Sequence, residues 1–229
     1  MQKKTSTVSV AYMVMGILFC VCLIASNLFA TKQISLFGAS VTGGLLIFPI
    51  SYIVNDCVSE VWGYRKARLL IWTGFMMNFF FVLMGALCDV IPGAAYYENN
   101  EGFHAVFGLA PRVAIASFCA FLVGSFLNAL VMSKMKIHSK GRHFSWRAIL
   151  STLAGESADS LIFFPLALGG VIPTEAILPM MLYQVVLKTL YEILVLPLTI
   201  RIVKYVKKHE GVDTYDTSIS YNPLKLKEI

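Results

Sequence analysis

Charged side chains are scarce in this chain of 229 residues. Asp, Glu, Lys and Arg together make up 14% of it, against about 25% in ordinary soluble domains, and 57% of the residues are hydrophobic. With a mean hydropathy of +0.71, this composition excludes a soluble domain and indicates an integral membrane protein. The apolar residues form continuous runs of about twenty rather than alternating stretches, which disfavours a β-barrel and predicts helices.

Signatures of several other protein classes are also missing. The five cysteines lie within the apolar runs or at their edges, so neither a disulfide framework nor a metal site is indicated, and no cofactor is expected. The absence of G-x-S-x-G and H-E-x-x-H motifs, and of any His in a predicted span, disfavours an intramembrane enzyme. No G-x-x-x-x-G-K-S/T loop occurs, so ATP could be used only through a partner.

Apolar runs long enough to cross about 30 Å of hydrocarbon predict six transmembrane helices. They cover approximately residues 8–31, 41–62, 67–89, 111–134, 146–169 and 176–203. Turn-forming residues separate them, among them the Ser35 to Gly38 segment and Gly169-Gly170. Residues 204–229 are polar and are interpreted as a tail.

Lys and Arg are concentrated on one side of these spans. The N-terminus, the 63–68 turn, the 134–147 loop and the tail hold 16 of the 19, so the positive-inside rule places both termini in the cytoplasm. The formal charge of +6 reflects this topology and attraction to anionic headgroups, and a nucleic-acid partner is not indicated. The outer loop at 90–110 is rich in aromatic residues, which favours an interfacial belt, with a lid over an outward-facing mouth as the alternative.

Five ionisable residues lie inside the apolar spans. They are Asp56, Glu156, Asp159, Lys188 and Glu192. Each would cost roughly 2.5 to 3.5 kcal/mol near the bilayer centre, and all five on the order of 15 kcal/mol, if they faced lipid. We therefore expect them to face one another, a bound solute or water.

The fifth and sixth predicted helices carry polar residues at matching depths. Glu156 and Asp159 lie one turn apart among small residues, which allow a neighbouring helix or a ligand to approach closely. Gln184, Lys188 and Glu192 recur every four residues on the next helix. We expect Lys188 to neutralise one carboxylate of the fifth helix and to leave the remaining negative charge for a substrate.

Asp56 and Glu60 share a face of the second predicted helix. Glu60 lies close to the cytoplasmic headgroups, where we expect it to pair with Arg65 or Arg68 as an interfacial ion pair or part of a gate. Asp56 has no such partner along the sequence and is predicted to bind substrate. For Asn27, near the outer end of the first helix, both an interhelical hydrogen bond and a ligand contact stay open.

A cluster of carboxylates and amides in a low-dielectric cavity favours particular ligands. A carboxylate accepts two parallel hydrogen bonds from an amidine-like or guanine-like edge, so a small, planar, donor-rich molecule fits, as does a cationic amine. The negative sign of the cluster disfavours inorganic anions. The predicted substrate-binding residues are Asn27, Asp56, Glu156, Asp159, Gln184, Lys188 and Glu192.

Motifs in the first, second, fifth and sixth predicted helices point to a family. They are Ser26-Asn27, Asp56-x-x-x-Glu60-x-Trp62-Gly63 running into Ala67-Arg68, Ser151-Thr152-Leu153 through Gly155 and Ser157-Ala158-Asp159 to Phe163-Phe164, Lys188 and Pro197. In their order and spacing, over nearly the whole chain, the sequence resembles the bacterial queuosine precursor transporters, a vitamin-uptake-like family. The resemblance implies uptake of 7-cyano-7-deazaguanine or 7-aminomethyl-7-deazaguanine for tRNA modification, across the bacterial inner membrane.

The fold also looks like that of the substrate-binding subunits of energy-coupling-factor transporters, which are six-helix membrane proteins. In those proteins an Ala-x-x-x-Ala pattern on the first helix docks the coupling subunit, whereas here Ala11 is followed at i+4 by Met15, and Ala25 by Phe29. This favours a stand-alone carrier without a coupling ATPase. The alternative is the substrate-capture subunit of a multi-component ATP-driven importer of a vitamin or nucleobase, and a homodimer is left open.

Buried carboxylates also give a stand-alone carrier a route to proton coupling. A carboxylate that burial makes easier to protonate can exchange a proton while the substrate moves. Asp159 is the first candidate for this role and Asp56 the second, although substrate binding alone would explain both.

Overall fold

A computed structural model describes residues 8–30, 32–36, 39–108, 111–170 and 174–225 of the chain. These residues form seven α-helices, one β-hairpin and one short 3-10 helix. The elements are α1 (Val10–Ala30), β1 (Gln33–Leu36), β2 (Ala39–Thr42), the 3-10 helix (Gly43–Leu46), α2 (Phe48–Trp62), α3 (Tyr64–Val90), α4 (Asn100–Phe107), α5 (Pro111–His138), α6 (Phe144–Leu168) and α7 (Thr174–Glu210). The helical class predicted from the apolar runs is confirmed.

Four stretches of the described chain are long and apolar enough to cross a membrane. They are Val10–Phe29, Gly43–Trp62, Tyr64–Val90 and Ile115–His138. α6 and α7 are long as well, with 25 and 37 residues, but the ionisable residues near their centres make them less apolar. The chain is therefore a multi-pass, all-α membrane protein.

The second predicted span, 41–62, begins close to the apolar stretch Gly43–Trp62, but within it the α-helix α2 starts only at Phe48. Residues 41 and 42 belong to β2, which pairs antiparallel with β1 from Gln33 opposite Thr42 to Leu36 opposite Ala39. Pro49 lies in the first turn of α2, where its missing N–H costs nothing and its fixed φ favours helix initiation. The segment predicted as a turn, Ser35 to Gly38, includes the end of β1, and its residues 37 and 38 lie outside the described residues.

Two further boundaries differ from the prediction. α4 forms inside the 90–110 segment predicted as a loop, and α7 continues to Glu210, past the predicted end at residue 203. The extension of α7 has a packing reason, because Val203 and Val206 are buried in a cluster with Val61 of α2.

α2 lies at the centre of the bundle, where it contacts α1, α3, α5, α6 and α7. Twelve of its fifteen residues are buried. Val54 and Val58 pack against Phe19 of α1, Ile71 of α3 and Phe121 of α5. The other buried side chains of α2 include the polar residues Asn55, Asp56 and Glu60.

Residues 211–225 pack against the bundle at the turn between α2 and α3. Gly63 makes this turn with φ of +81°, and a Cβ there would lie 2.7 Å from the Asp216 carboxylate. Asp216 accepts hydrogen bonds from the Tyr64 backbone N–H (2.8 Å) and the Ser133 hydroxyl (2.5 Å). We call this the tail end of the bundle, and the opposite end, beside β1 and β2, the hairpin end.

α5 and α6 approach each other closely at Gly124 and Gly155. A Cβ on Gly155 would lie 2.7 Å from the Tyr52 ring and 2.8 Å from the Gly124 carbonyl oxygen. Because backbone cannot yield as a flexible side chain does, we expect Gly155→Ala to lower the free energy of unfolding by about 1 to 3 kcal/mol. Gly16→Ala is the matched control, since its Cβ would meet nothing closer than Leu70, at 3.7 Å. Thermal unfolding of the two purified variants checks this, and equal stability would contradict the close packing.

Candidate functional site

A buried ion pair joins α6 and α7 inside the bundle. The Lys188 ammonium lies 2.6 Å from Glu156 Oε2 and 3.6 Å from Asp159 Oδ2. All three side chains are buried, and the Phe48 ring covers the ammonium at 4.1 Å from its centroid. We call Glu156, Asp159 and Lys188 the charged cluster. The prediction that Lys188 neutralises a carboxylate of α6 is confirmed, and Glu156 is the closer partner.

Local sequence explains how the charged cluster forms. About one helical turn separates Glu156 from Asp159, so both carboxylates point toward α7. Gly155, next to Glu156, lets α6 approach α5 and Tyr52 closely, which draws this part of α6 into the interior. The acids are therefore removed from lipid by the same residues that hold the helices together.

A cavity of about 100 Å³ lies beside the charged cluster, toward the hairpin end. Its polar wall includes Asp159, Gln184 and Lys188, together with Asn27 and Asn78. The Asn27 amide N–H donates to Asn78 Oδ1 at 2.7 Å. Four of the residues predicted to bind substrate, on α1, α6 and α7, thus meet at one cavity.

Sequence reasoning missed the aromatic wall of this cavity. Phe48, Phe121 and Phe163 contribute rings to the lining, and Ser117 of α5 adds a hydroxyl. Phe163 belongs to the Phe163-Phe164 motif noted in the sequence. Phe48 and Phe121 carried no comparable signal, because nothing in the sequence distinguishes them from the other Phe residues, 16 in all.

The remaining predicted site residues do not line the cavity. Glu156 lies behind Lys188, while Asp56 and Glu192 lie closer to the tail end. The Ser151 hydroxyl is 3.2 and 3.3 Å from the two Asp56 carboxyl oxygens. The carboxyl groups of Asp56 and Glu192 are within hydrogen-bonding reach of one another. The predicted acids therefore form two groups at different depths.

Glu60 is buried at the tail end of the site, and its expected pairing with Arg65 or Arg68 is wrong. It binds Arg147 through both carboxyl oxygens, and Lys207 Nζ lies 2.6 Å from Oε1. Arg65 is exposed, whereas the buried Arg68 donates to the carbonyl oxygens of Ser220 and Asn222. The turn at Gly63 directs the start of α3 toward the 211–225 segment, so residues near Glu60 in sequence are not its partners in space.

Lys136 completes the buried surroundings of Glu60, and Asp213 of the 211–225 segment binds both Lys136 and Lys207. Lys136 Nζ donates to the Glu60 carbonyl oxygen and lies 4.0 Å from its carboxylate. Lys136 and Arg147 are only 2% and 1% exposed, although sequence analysis assigned both to a cytoplasmic loop. We call Glu60, Lys136, Arg147, Lys207 and Asp213 the Glu60 network.

Residues 42–202 match the model of a protein family described as "Putative vitamin uptake transporter". The chain belongs to this transporter family. The match begins in β2 and ends within α7, so it includes the charged cluster but not Asn27 or the 211–225 segment. Because the family consists of transporters, the expectation that the chain is not an enzyme is confirmed.

Relatives of this transporter have a more specific name. The chain is 27% identical over 177 residues to the "Probable queuosine precursor transporter" of Bacillus subtilis (strain 168), which covers 76% of each protein. It is 30% identical over 148 residues, 62% of each protein, to the "Queuosine precursor transporter" of Escherichia coli (strain K12). No solved structure matches the chain. The family resemblance recognised from the motifs is confirmed.

In this transporter, Asp213 ties the 211–225 segment to the Glu60 network. Its Oδ1 lies 2.5 Å from Lys136 Nζ and 2.9 Å from Lys207 Nζ. Partial burial opposes ionisation of Asp213, but hydrogen bonds from the two lysines outweigh it and hold the pKa of the carboxyl below its usual value. Asp213 is therefore ionised at neutral pH, and its contribution to docking of the segment is lost only as the pH falls through that lowered pKa.

Some buried polar atoms of the transporter have no hydrogen-bond partner among the described residues. Near the charged cluster these are Glu156 Oε1, Ser160 Oγ and Thr189 Oγ1. Each such atom costs about 1 to 3 kcal/mol, so water or substrate is expected to satisfy part of this set. Within the described ranges, no group of three His, Cys, Asp or Glu side chains is arranged to hold a metal ion.

Proposed function

We propose that this transporter takes up the queuosine precursors 7-cyano-7-deazaguanine and 7-aminomethyl-7-deazaguanine. The names of the Bacillus subtilis and Escherichia coli relatives support the substrate class. The observation that carries the proposal for this chain is the cavity, in which one carboxylate, two kinds of amide and three aromatic rings surround a small space.

The geometry favours a planar base with N–H donors along one edge. Asp159 lies 3.6 Å from Lys188, farther than Glu156, so its carboxylate keeps acceptor capacity for a guanine-like edge. Gln184 and Asn27 offer amide groups for the remaining polar atoms. The rings of Phe48 and Phe163 provide apolar faces for a flat heterocycle, as in other small-molecule sites.

The size of the cavity favours a base over a larger nucleoside. At about 100 Å³ it has room for roughly seven to ten water molecules, each of which needs about 10 to 15 Å³ of such volume. A bicyclic base with a short substituent fits this space. An added ribose would require the hairpin end to open further.

We further propose a membrane arrangement for the bundle. α6 and α7 cross the membrane with the four apolar spans, which gives six crossings, as in the substrate-binding subunits of energy-coupling-factor transporters. Their ionisable residues face the interior and so do not oppose insertion as lipid-facing charges would. The tail end carries most of the Lys and Arg residues, so it lies on the cytoplasmic side of a bacterial inner membrane. The cavity then lies in the outer half of that membrane.

In this arrangement the Glu60 network is a closed inner gate. Glu60 holds α6 through Arg147 and α7 through Lys207, so substrate in the cavity cannot leave toward the cytoplasm until these contacts break. The protein works as a stand-alone carrier in this proposal. Copurification of a stoichiometric ATPase would favour the capture-subunit alternative instead.

The substrate assignment is tested in a bacterium that lacks its own carrier and cannot synthesise queuosine precursors. The cells are fed nanomolar 7-cyano-7-deazaguanine, and queuosine in tRNA is measured by mass spectrometry. Expression of the wild-type protein is expected to restore queuosine, and Asp159→Asn at equal membrane abundance is expected not to. Absence of queuosine with the wild type, while the Escherichia coli relative restores it, would contradict the assignment.

A further inference from the structure

Two buried carboxyl groups face each other between the charged cluster and the Glu60 network. Asp56 on α2 and Glu192 on α7 are at most 1% exposed, and their carboxyl groups lie within hydrogen-bonding reach. A carboxylate has no hydrogen to donate, so a hydrogen bond between the two groups exists only if one of them carries a proton. The arrangement itself therefore contains a place for one proton.

This pair differs from the other buried acids because no cation neutralises it. Glu156 and Asp159 have Lys188, and Glu60 has Arg147 and Lys207, whereas Asp56 and Glu192 take part in none of the ion pairs among the described residues. Two unpaired negative charges this deep in a membrane protein would be strongly disfavoured. A single bound proton removes one charge and joins the two groups.

Polar but uncharged side chains surround the pair. Ser151 of α6 donates to Asp56, and Thr152 of α6 and Asn128 of α5 lie against Glu192 and Asp56. Thr152 Oγ1, Asn128 Nδ2 and Glu192 Oε2 are fully buried atoms without a hydrogen-bond partner among the described residues. Donors that are not fully engaged can turn to whichever carboxyl group is ionised, so the surroundings suit both protonation states.

The charged and titratable neighbours are all engaged elsewhere or neutral. They are Tyr52, Cys57 and Glu60 on α2, Arg147 and Glu156 on α6, and Lys188 on α7. α5 presents Asn128 and Ser125 to this region, α1 has no charged residue between 10 and 30, and those of α3 lie at its two ends. Protonation of the pair is thus set mainly by its own two carboxyl groups.

We propose that the Asp56–Glu192 pair carries the proton that drives uptake, at a site separate from the substrate cavity. The inference rests on the transport function proposed above. With the proton bound from the outer side, the pair has one negative charge fewer and holds α2 to α7. Loss of the proton toward the cytoplasm leaves two like charges that repel each other and so favours separation of these helices. One proton enters with each substrate molecule, and no covalent bond forms or breaks.

The geometry changes the order of candidates obtained from sequence. Asp159, the first candidate, is held by Lys188 and lines the cavity, which suits substrate binding. Asp56, the second, lies outside the cavity and shares its environment with Glu192. Separate sites let proton binding and substrate binding be tested independently.

The test uses the purified full-length transporter in liposomes with the membrane potential clamped at zero. Radiolabelled 7-cyano-7-deazaguanine, a neutral base, is the probe. With the inside one pH unit more alkaline, the wild type is expected to accumulate it up to about tenfold, since one pH unit is a factor of ten for one proton per molecule. Asp56→Asn and Glu192→Gln are each expected to equilibrate near a ratio of one, yet to exchange external label for internal unlabelled base within about twofold of the wild-type rate.

Exchange shows that a variant is folded and binds substrate. A variant that exchanges substrate but no longer accumulates it has therefore lost only its proton site. Glu175→Gln, an exposed glutamate in the first turn of α7, is the matched control and is expected to accumulate as the wild type does. Accumulation by Asp56→Asn, loss of exchange in both variants, or accumulation driven only by a Na⁺ gradient would each overturn the inference. Wild-type exchange without pH-driven accumulation would also overturn it but leave the transport function standing, whereas neither exchange nor accumulation would contradict the proposed function itself.

Discussion

Lys188→Met is expected to abolish uptake and to reduce the amount of folded transporter in the membrane. Methionine keeps the length and apolar stem of the side chain but leaves Glu156 and Asp159 buried without a cation. Removing one partner of a buried ion pair typically costs about 3 to 5 kcal/mol, because the other charge stays desolvated. Uptake of labelled 7-cyano-7-deazaguanine by whole cells, normalised to membrane abundance, measures the effect.

A charge-balanced double variant separates stability from function. Lys188→Met combined with Glu156→Gln removes both members of the closer pair, so abundance is expected to recover toward the wild-type level while uptake stays lost. Lys204→Met, at an exposed lysine on the same helix, is expected to leave both quantities unchanged. Wild-type uptake by the double variant would show that the Lys188–Glu156 ion pair has no part in transport.

Glu60→Gln is expected to lower the free energy of unfolding by about 3 to 5 kcal/mol. The amide cannot neutralise Arg147, which is 1% exposed, or the partly buried Lys207. α6 and α7 would both lose their ionic contacts with the end of α2. Chemical denaturation of the purified protein in detergent, followed by Trp fluorescence, measures the loss.

Two arginine variants distinguish this account from the pairing suggested by sequence. If Glu60 were bound to Arg65, Arg65→Gln would be as damaging as Glu60→Gln. In the structure Arg65 is exposed, so Arg65→Gln is expected to change stability by less than about 0.5 kcal/mol, whereas Arg147→Gln is expected to approach the effect of Glu60→Gln. A large loss with Arg65→Gln and a small one with Arg147→Gln would contradict the observed network.

Lys188 shows what the sequence predicts well. It is the only basic residue deep in a predicted span, so the choice of partners was limited to a few acids at the same depth, and periodicity placed them on facing sides. Glu60 shows the opposite case. Many basic residues lie near its depth, on the 63–68 turn, the 134–147 segment and the end of α7, and the turn at Gly63 decides which of them reach it. The spacing of residues along the chain does not reveal the positive φ of Gly63, which sets the direction of α3.

The hairpin and the aromatic wall of the cavity were missed for similar reasons. β1 and β2 have four residues each, too few to establish a period against the long apolar runs on both sides. The rings of Phe48, Phe121 and Phe163 resemble the other Phe residues in composition and spacing, and only the packing of α1, α2, α5 and α6 makes them converge. Acids could be predicted at a site because membrane burial makes them costly, and apolar residues carry no such signal.

The central claim is that the cavity beside the charged cluster binds a deazaguanine through Asp159. The most direct test is equilibrium binding of labelled 7-cyano-7-deazaguanine to the purified transporter in detergent. The wild type and Glu175→Gln are expected to bind saturably and equally, and Asp159→Asn at least tenfold more weakly, since a hydrogen bond to a charged group contributes about 1.5 to 3 kcal/mol. Absence of saturable binding to the folded wild type, or equal affinity of Asp159→Asn, would contradict the account.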